Sequence, residues 1–349
     1  MWQIIGQSRA VSLLQRSLEA GSLAHAYLFV GPPHVGKMTL ARNLAQALNC
    51  LENEPPCGQC AACRRIDSAS HSDVQVIGLA QNGSAAEAKL IGIDQVREIQ
   101  HSASLPPFEG RCKVFIIEGA ESLSNEAANC LLKTLEEPTG SVAFILLATN
   151  ESLLPETVVS RCQKVELAPL PAAEVESALG RRGIEPAKAR LLARLSHGCP
   201  GWAISAAGDE AALRKRDEAL DSLLGLIGAG YEERFAHVAR LAVQFRQNRG
   251  VVYDALDLWL YYWRDLLLIK AGCQGMITNI DRSATLAGMA GGYRLAQIKA
   301  VIDGIRAAGE QLRQNVNPQL ALEVLMLDMP GKEGVGEGFS STRQAIRNG

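Results

Sequence analysis

The sequence lacks a charge excess of either sign. Its 35 Lys and Arg stand against 37 Asp and Glu, a formal net charge of −2. No overall basic field therefore exists to hold nucleic acid by its phosphates. The short basic clusters at Arg64-Arg65, Arg181-Arg182 and Arg214-Lys215-Arg216 read as solvated surface. No apolar run is long enough to span a membrane. The N-terminus, MWQIIGQSRA, lacks the basic-then-apolar order of a secretory signal, so a cytoplasmic protein is expected. The nine cysteines are an odd number in a long chain, which argues against a disulfide framework and for metal binding or plain burial. No internal repeat is visible. The aromatic run Trp259-Leu260-Tyr261-Tyr262-Trp263 has no basic residues interleaved, so it reads as helix core rather than a base-stacking platform. What remains is a 349-residue chain, 47% hydrophobic and 21% charged, which fits a globular protein of two or three domains.

The chain is organised around Gly31 to Thr39, GPPHVGKMT. An apolar run, Tyr27 to Val30, precedes it, and an apolar-periodic segment with Leu40, Leu44 and Leu48 follows to about Asn49. Strand, glycine loop, Lys and helix are the layout of a P-loop. Gly31 and Gly36 let the backbone aim N–H groups at phosphate oxygens, and Lys37 would reach the terminal phosphates of ATP or ADP. The residue after the Lys should carry a hydroxyl for Mg²⁺. Here it is Met38, a soft and poor Mg²⁺ ligand, and the nearest hydroxyl is one place late, at Thr39. The loop is thus either a nucleotide site or a strand-to-helix turn that has lost its ligand.

Directly after the loop's helix come Cys50, Cys57, Cys60 and Cys63, in a polar segment with little core of its own. Four thiolates around Zn²⁺ would supply the missing stability, with every site filled and no open catalytic position. The C-x2-C-x2-C run also suits an iron–sulfur cluster, but the fourth Cys lies upstream and no C-P ending follows.

Further along, Val74 to Ile77 reads as a short strand, and residues 78–90 as a loop. Asp94 is expected to cap a helix carrying Val96 and Ile99. Lys113 to Glu118 is a continuous apolar run ending in an acid, the pattern of a buried parallel strand. In a P-loop NTPase that acid would hold the Mg²⁺ water shell, and a Glu directly after it would activate water. The pair here is Glu118-Gly119, with Glu121 displaced by two positions. Ser124 caps a helix that Pro138 stops. Val142 to Ala148 is another buried strand, ending in Thr149-Asn150, and polar residues there face the ligand crevice of an α/β sheet. A short helix from Pro155 leads to Ser160-Arg161-Cys162, then a last strand at Lys164 to Leu167. Residues 4–20 look helical. From Ala172 onward the chain is helices only, about 172–182, 186–196, 201–207, 209–227, 231–247, 251–271, 292–309 and 318–328. Residues 331–349 have almost no apolar content and read as a disordered tail.

These residues carry a resemblance. Ile5-Gly6-Gln7, His25 to Phe29, the P-loop, the four-Cys insert, Asn129 to Pro138, Ser160-Arg161-Cys162 and Asn317 to Glu323 together resemble bacterial DNA polymerase III clamp-loader subunits, over about residues 2–329. Within that family the chain looks like the delta-prime type rather than the gamma/tau motor.

The resemblance implies an α/β AAA+ P-loop domain with a parallel sheet and zinc-knuckle insert over 1–168, the knuckle being 50–63. An all-α lid over 169–208 and an all-α collar over 209–330 would follow. It implies an arginine finger, Arg161, acting in trans on a neighbour's ATP. It also implies a hetero-pentamer with gamma/tau and delta subunits, and the sliding clamp and primed DNA as partners of the assembly, within a DNA-directed DNA polymerase holoenzyme. Active members carry an Arg near the position of Gly201, and Gly198 to Ala203 has none. With Met38 and Gly119 that makes three departures in one site, so little or no ATPase is expected from the chain alone. Gly31, Gly36, Lys37, Thr39, Glu118 and Asn150 could still hold a nucleotide. An active motor subunit would need the hydroxyl and acid missing here, and the lack of a long extension after residue 330 also fits no tau-like role. A zinc-dependent DNA-binding protein would need a basic knuckle, whereas Arg64 and Arg65 stand beside Glu52 and Glu54.

Overall fold

The computed structural model describes residues 2–79, 90–136 and 141–330. The first half alternates strand and helix. In chain order come α1 (Ser8–Glu19), β1 (Ala26–Val30), α2 (Lys37–Asn49), α3 (Ala61–Asp67), β2 (Val74–Ile77), α4 (Ile93–Ser104), β3 (Lys113–Glu118), α5 (Asn125–Glu136), β4 (Val142–Ala148), α6 (Glu156–Val159) and β5 (Gln163–Glu166). The strands form one parallel sheet in the order β2-β3-β4-β1-β5. β3 and β4 are buried on both faces, which is why they read as unbroken apolar runs rather than alternations. Alternate residues serve opposite layers. Phe115, Ile117, Phe144 and Leu146 pack with α4 and α5, whereas Val114, Ile116, Ile145 and Leu147 pack with α1 and α2. The α/β class, the parallel sheet and the helical second half are as expected: a three-layer domain followed by helices.

The second half is helical: α7 (Ala172–Gly180), α8 (Pro186–Leu195), α9 (Pro200–Gly208), α10 (Glu210–Ile227), α11 (Tyr231–Gln247), α12 (Arg249–Lys270), α13 (Ser283–Ala290), α14 (Leu295–Arg313) and α15 (Pro318–Asp328). Two compact units result, Met1–Ala189 with Ser196–Ser205, and Arg190–Leu195 with Ala206–Gly349. Trp259, Tyr262 and Trp263 are buried in the core of the second unit, as the absence of interleaved basic residues predicts. Among the described residues no helix is long and apolar enough to cross a membrane.

Some expectations need correcting. The first helix starts at Ser8, not at residue 4. Gly6 and Gln7 take positive φ, which is not helical geometry, and a Cβ on Gly6 would come within 2.5 Å of Leu170 Cδ2. Asp94 does not cap α4. Gly92 occupies that position, its N–H donating to Gln95 Oε1 at 3.1 Å. A short helix, α3, starts at the end of the cysteine insert and carries Cys63, and α13 is a further helix beyond those expected. Pro138, the tail at 331–349 and most of the 78–90 loop lie outside the described residues.

Candidate functional site

The P-loop is a tight turn between β1 and α2. Gly31 is glycine because a Cβ there would meet the Leu167 carbonyl oxygen at 2.4 Å. Gly36 caps α2 with φ +113°, open to glycine and strained for L side chains. Gly201 N donates to His34 O at 2.9 Å, so the start of α9 lies against the loop. A cavity of about 420 Å³ opens there, bordered by Gly36, Lys37, Met38, Thr39, Glu118 and Thr149 among others.

The structure brings Gly36, Lys37, Thr39 and Glu118 together around that cavity, whereas Gly31, directly after β1, is not among the lining residues. Asn150 is not among the lining residues. Its side chain accepts from Ser152 N at 3.0 Å and caps the following turn, while Thr149 takes the place at the cavity wall. Lys37 Nζ is folded back onto the loop itself, donating to Gly31 O and to Pro32 O, the latter at 2.9 Å. Burial lowers the Lys37 pKa, and the negative charge of Glu121 leads the opposing effects. Met38 borders the cavity and packs against the core below α2.

Glu121 is the residue that spacing obscured. A pattern search looks for an acid directly after Glu118. Instead the 3-10 turn Ala120–Ser122, entered through Gly119 at φ +67°, brings Glu121 to the cavity wall. Its Oε1 accepts from Thr149 N at 3.2 Å and Thr149 Oγ1 at 2.7 Å. Its Oε2 is buried without a hydrogen-bond partner.

The cysteine insert is built on α2. Cys50 caps the helix, Gly58 turns the chain with φ +73°, and Cys60 is the N-cap of α3. The Sγ atoms of Cys50, Cys57, Cys60 and Cys63 all lie within 4.8 Å of one another. Four sulfurs about 2.3 Å from one tetrahedral centre stand roughly 3.8 Å apart, and Cys57 and Cys63 are 3.9 Å apart. Backbone N–H groups already point at the sulfurs, Cys57 N to Cys50 Sγ at 3.4 Å and Cys60 N to Cys57 Sγ at 3.2 Å. Donors of this kind stabilise thiolates around a metal. Burial pushes the Cys60 thiol up, but N–H donors from Leu51 and Cys63 and the neighbouring thiols outweigh it and bring it down to about 6. The donor set fits Zn²⁺, all four positions being protein sulfur.

Arg161 follows α6 on the surface of the same unit. Nη1 donates to Thr157 O at 2.8 Å, and Nη2 is paired with Glu136 at the end of α5. Beside it, burial pushes the Cys162 thiol up to about 12, so it is an inert packing residue rather than a nucleophile.

Comparison with known proteins places this architecture. A family model described as DNA polymerase III, delta subunit, matches residues 6–171, and one described as DNA polymerase III, delta subunit, C terminal, matches residues 231–330. The chain belongs to the clamp-loader subunit family of DNA polymerase III. Within the family, the DNA polymerase III subunit delta' of Bacillus subtilis is 29% identical over 329 residues, 92% of this chain and 95% of that protein. The tau subunit of the same organism is 28% identical over 359 residues, 93% of this chain but 60% of that longer protein. A crystal structure of a DNA polymerase III gamma subunit-related protein from Thermotoga maritima is 17% identical with a TM-score of 0.45, covering 90% of this chain and 97% of the other.

Proposed function

We propose that this chain is the delta-prime-type subunit of a DNA polymerase III clamp loader. It hydrolyses little or no ATP itself, and it lends Arg161 to ATP held by a neighbouring gamma/tau subunit while the loader places a sliding clamp on primed DNA. The observation that carries this reading is the make-up of the P-loop cavity. Met38 stands where a Mg²⁺-binding hydroxyl belongs, and Gly119 where a water-activating acid belongs. Loss of a general base alone costs about 10²–10⁴-fold in rate, and loss of the metal contact adds to it. Gly36 and Lys37 remain able to grip phosphate, so binding without turnover fits the same cavity.

Arg161 suits the role because a guanidinium stays charged and grips phosphate oxygens through two donors at once, which Lys does not reproduce. Its exposed position between α6 and β5 leaves it accessible to another subunit. Cys50, Cys57, Cys60 and Cys63 would hold one structural Zn²⁺, which ties the insert together and takes no part in phosphate chemistry. The delta subunit completes the proposed hetero-pentamer, which works in the cytoplasm.

One observation favours a second reading, an active gamma/tau-type motor. Glu121, with its free buried oxygen, could stand in for the missing acid. Turnover by the isolated chain separates the two. The expected rate is negligible, and a rate near about 1 s⁻¹, ordinary for an enzyme, that falls in Glu121→Gln would replace the first reading with the second.

A further inference from the structure

We propose that Glu136 is a positioning residue that parks the Arg161 guanidinium until a nucleoside triphosphate on a neighbouring subunit competes for it. This rests on the reading of Arg161 as a finger acting in trans, and it adds what keeps the finger idle.

Both terminal nitrogens of Arg161 are engaged within the chain. Nη1 is bonded to the Thr157 carbonyl at 2.8 Å and Nη2 is paired with the Glu136 carboxylate. The two donors that would grip a phosphate side by side are therefore already directed at oxygens of this chain. The pair bridges the last residue of α5 and the turn after α6, so it holds the guanidinium relative to two separate elements. The Arg161 and Glu136 side chains are 35% and 48% exposed. An ion pair that open to water is weak, which suits a contact that must yield. A terminal phosphate carries more charge and more acceptor oxygens than one carboxylate, and it wins the exchange as further charge develops on it in the transition state. The parked and engaged arrangements form a two-state element, biased by the ligand's preference for one of them.

Replacing Glu136 with Gln keeps the size and removes the charge that competes with phosphate. The assembled loader carrying Glu136→Gln is expected to show kcat for ATP raised roughly two- to fivefold, the range an exposed ion pair spans. The apparent affinity for ATP should change little, because the finger acts on the charge developing in the transition state. The gain should vanish in the Glu136→Gln, Arg161→Ala double variant, which a general effect on folding would not produce. An unchanged or lowered kcat in Glu136→Gln overturns the parking role; if Arg161→Ala still lowers turnover, the finger itself stands. Should Arg161→Ala leave turnover untouched, finger and parking fall together.

Discussion

At the residue scale, the least replaceable charge in the helical unit is Arg234. It is 2% exposed, and its hydrogen bonds among the described residues go to backbone carbonyls. Nε donates to Leu226 O at 3.0 Å, Nη1 to Met326 O and Met329 O at 3.1 and 2.7 Å, and Nη2 to Ile227 O and Pro330 O, both at 3.1 Å. Those carbonyls end α10 and α15, where the helix dipoles are negative and the last C=O groups have no partner within the helix. A guanidinium has five N–H donors in a planar fork, and each finds one acceptor here. Arg234→Met should cost about 3–5 kcal/mol, because it strands several buried carbonyls at once. Arg234→Lys should also destabilise, by about 2 kcal/mol, because three donors cannot serve five acceptors. Urea unfolding checks both, and a Lys variant as stable as the parent would show that charge, not fork geometry, matters. In the P-loop a single exchange tests the role of Met38. Met38→Ser restores the Mg²⁺ hydroxyl, so ATP binding is expected to be indifferent to Mg²⁺ in the parent and Mg²⁺-dependent in the variant. Turnover should stay low, since Gly119 still offers no acid. Placing Glu at Gly119 is no simple repair, because φ +67° there strains any L side chain.

At the element scale, the cysteine insert and α2 form one device. Asn43, Gln46 and Asn49 are buried on α2, and Gln46 Nε2 donates to Cys63 O at 3.0 Å. Asn49 Oδ1 accepts from Arg111 N and Cys112 N, at 2.8 and 3.0 Å, which carries the anchoring on to the turn before β3. Cys60→Ser should lower metal content from one zinc per chain and open α3 to hydrogen exchange, while the sheet stays protected. An iron–sulfur absorption band in the parent would overturn the zinc assignment. The same turn is fixed by Asp73, whose carboxylate accepts from Phe108, Glu109 and Gly110 N at 2.8, 2.9 and 2.7 Å. Burial pushes the Asp73 pKa up, but those three donors outweigh it and hold it below the ordinary value, with His71, Glu109 and Arg65 nearby. A folded pKa below the unfolded one means the contribution is complete above about pH 4 and is lost as pH falls through the lower folded value. Amides 108–110 should therefore lose exchange protection below about pH 4. Asp73→Asn should show that loss already at neutral pH.

These elements also show what was legible beforehand. β1, β3 and β4 could be read because strands buried on both faces are unbroken apolar runs, and the Cys spacing pointed to the four sulfurs that the structure brings together. α3 could not, since its apolar face is only Ala62, Cys63 and Ile66, too short to stand out as a period, and the helix is capped by Cys60. The first helix starts later than the 4–20 expected from the spacing of Val11, Leu14 and Leu18, because that spacing does not report the positive φ of Gly6 and Gln7. Glu121 was legible only as a misplaced acid, because a 3-10 turn, not a sequence offset, decides where it ends up.

At the scale of the whole molecule, the proposed role separates where nucleotide is held from where chemistry is assisted. The P-loop cavity and Arg161 belong to the same α/β unit, yet Arg161 is not among the residues lining that cavity. A finger that served its own loop would have to reach into it. One that serves a neighbour needs only an exposed position and an unaltered fold. The two cases make opposite demands on a single substitution. If Arg161 acts in trans, Arg161→Ala leaves the isolated chain's unfolding curve and any nucleotide affinity of its own P-loop unchanged, because among the described residues the side chain's contacts with Thr157 and Glu136 are exposed and weak. The same substitution lowers ATP turnover once the chain is assembled with gamma/tau and delta subunits, and the deficit lies in kcat rather than in assembly. A titration of the isolated variant with ATP, beside turnover of the reconstituted loader, reads both halves. A loss of affinity in the isolated chain would place Arg161 in its own site and remove the trans reading. Equal turnover by parent and variant loaders would remove the finger altogether and leave the chain a purely structural member of the proposed assembly.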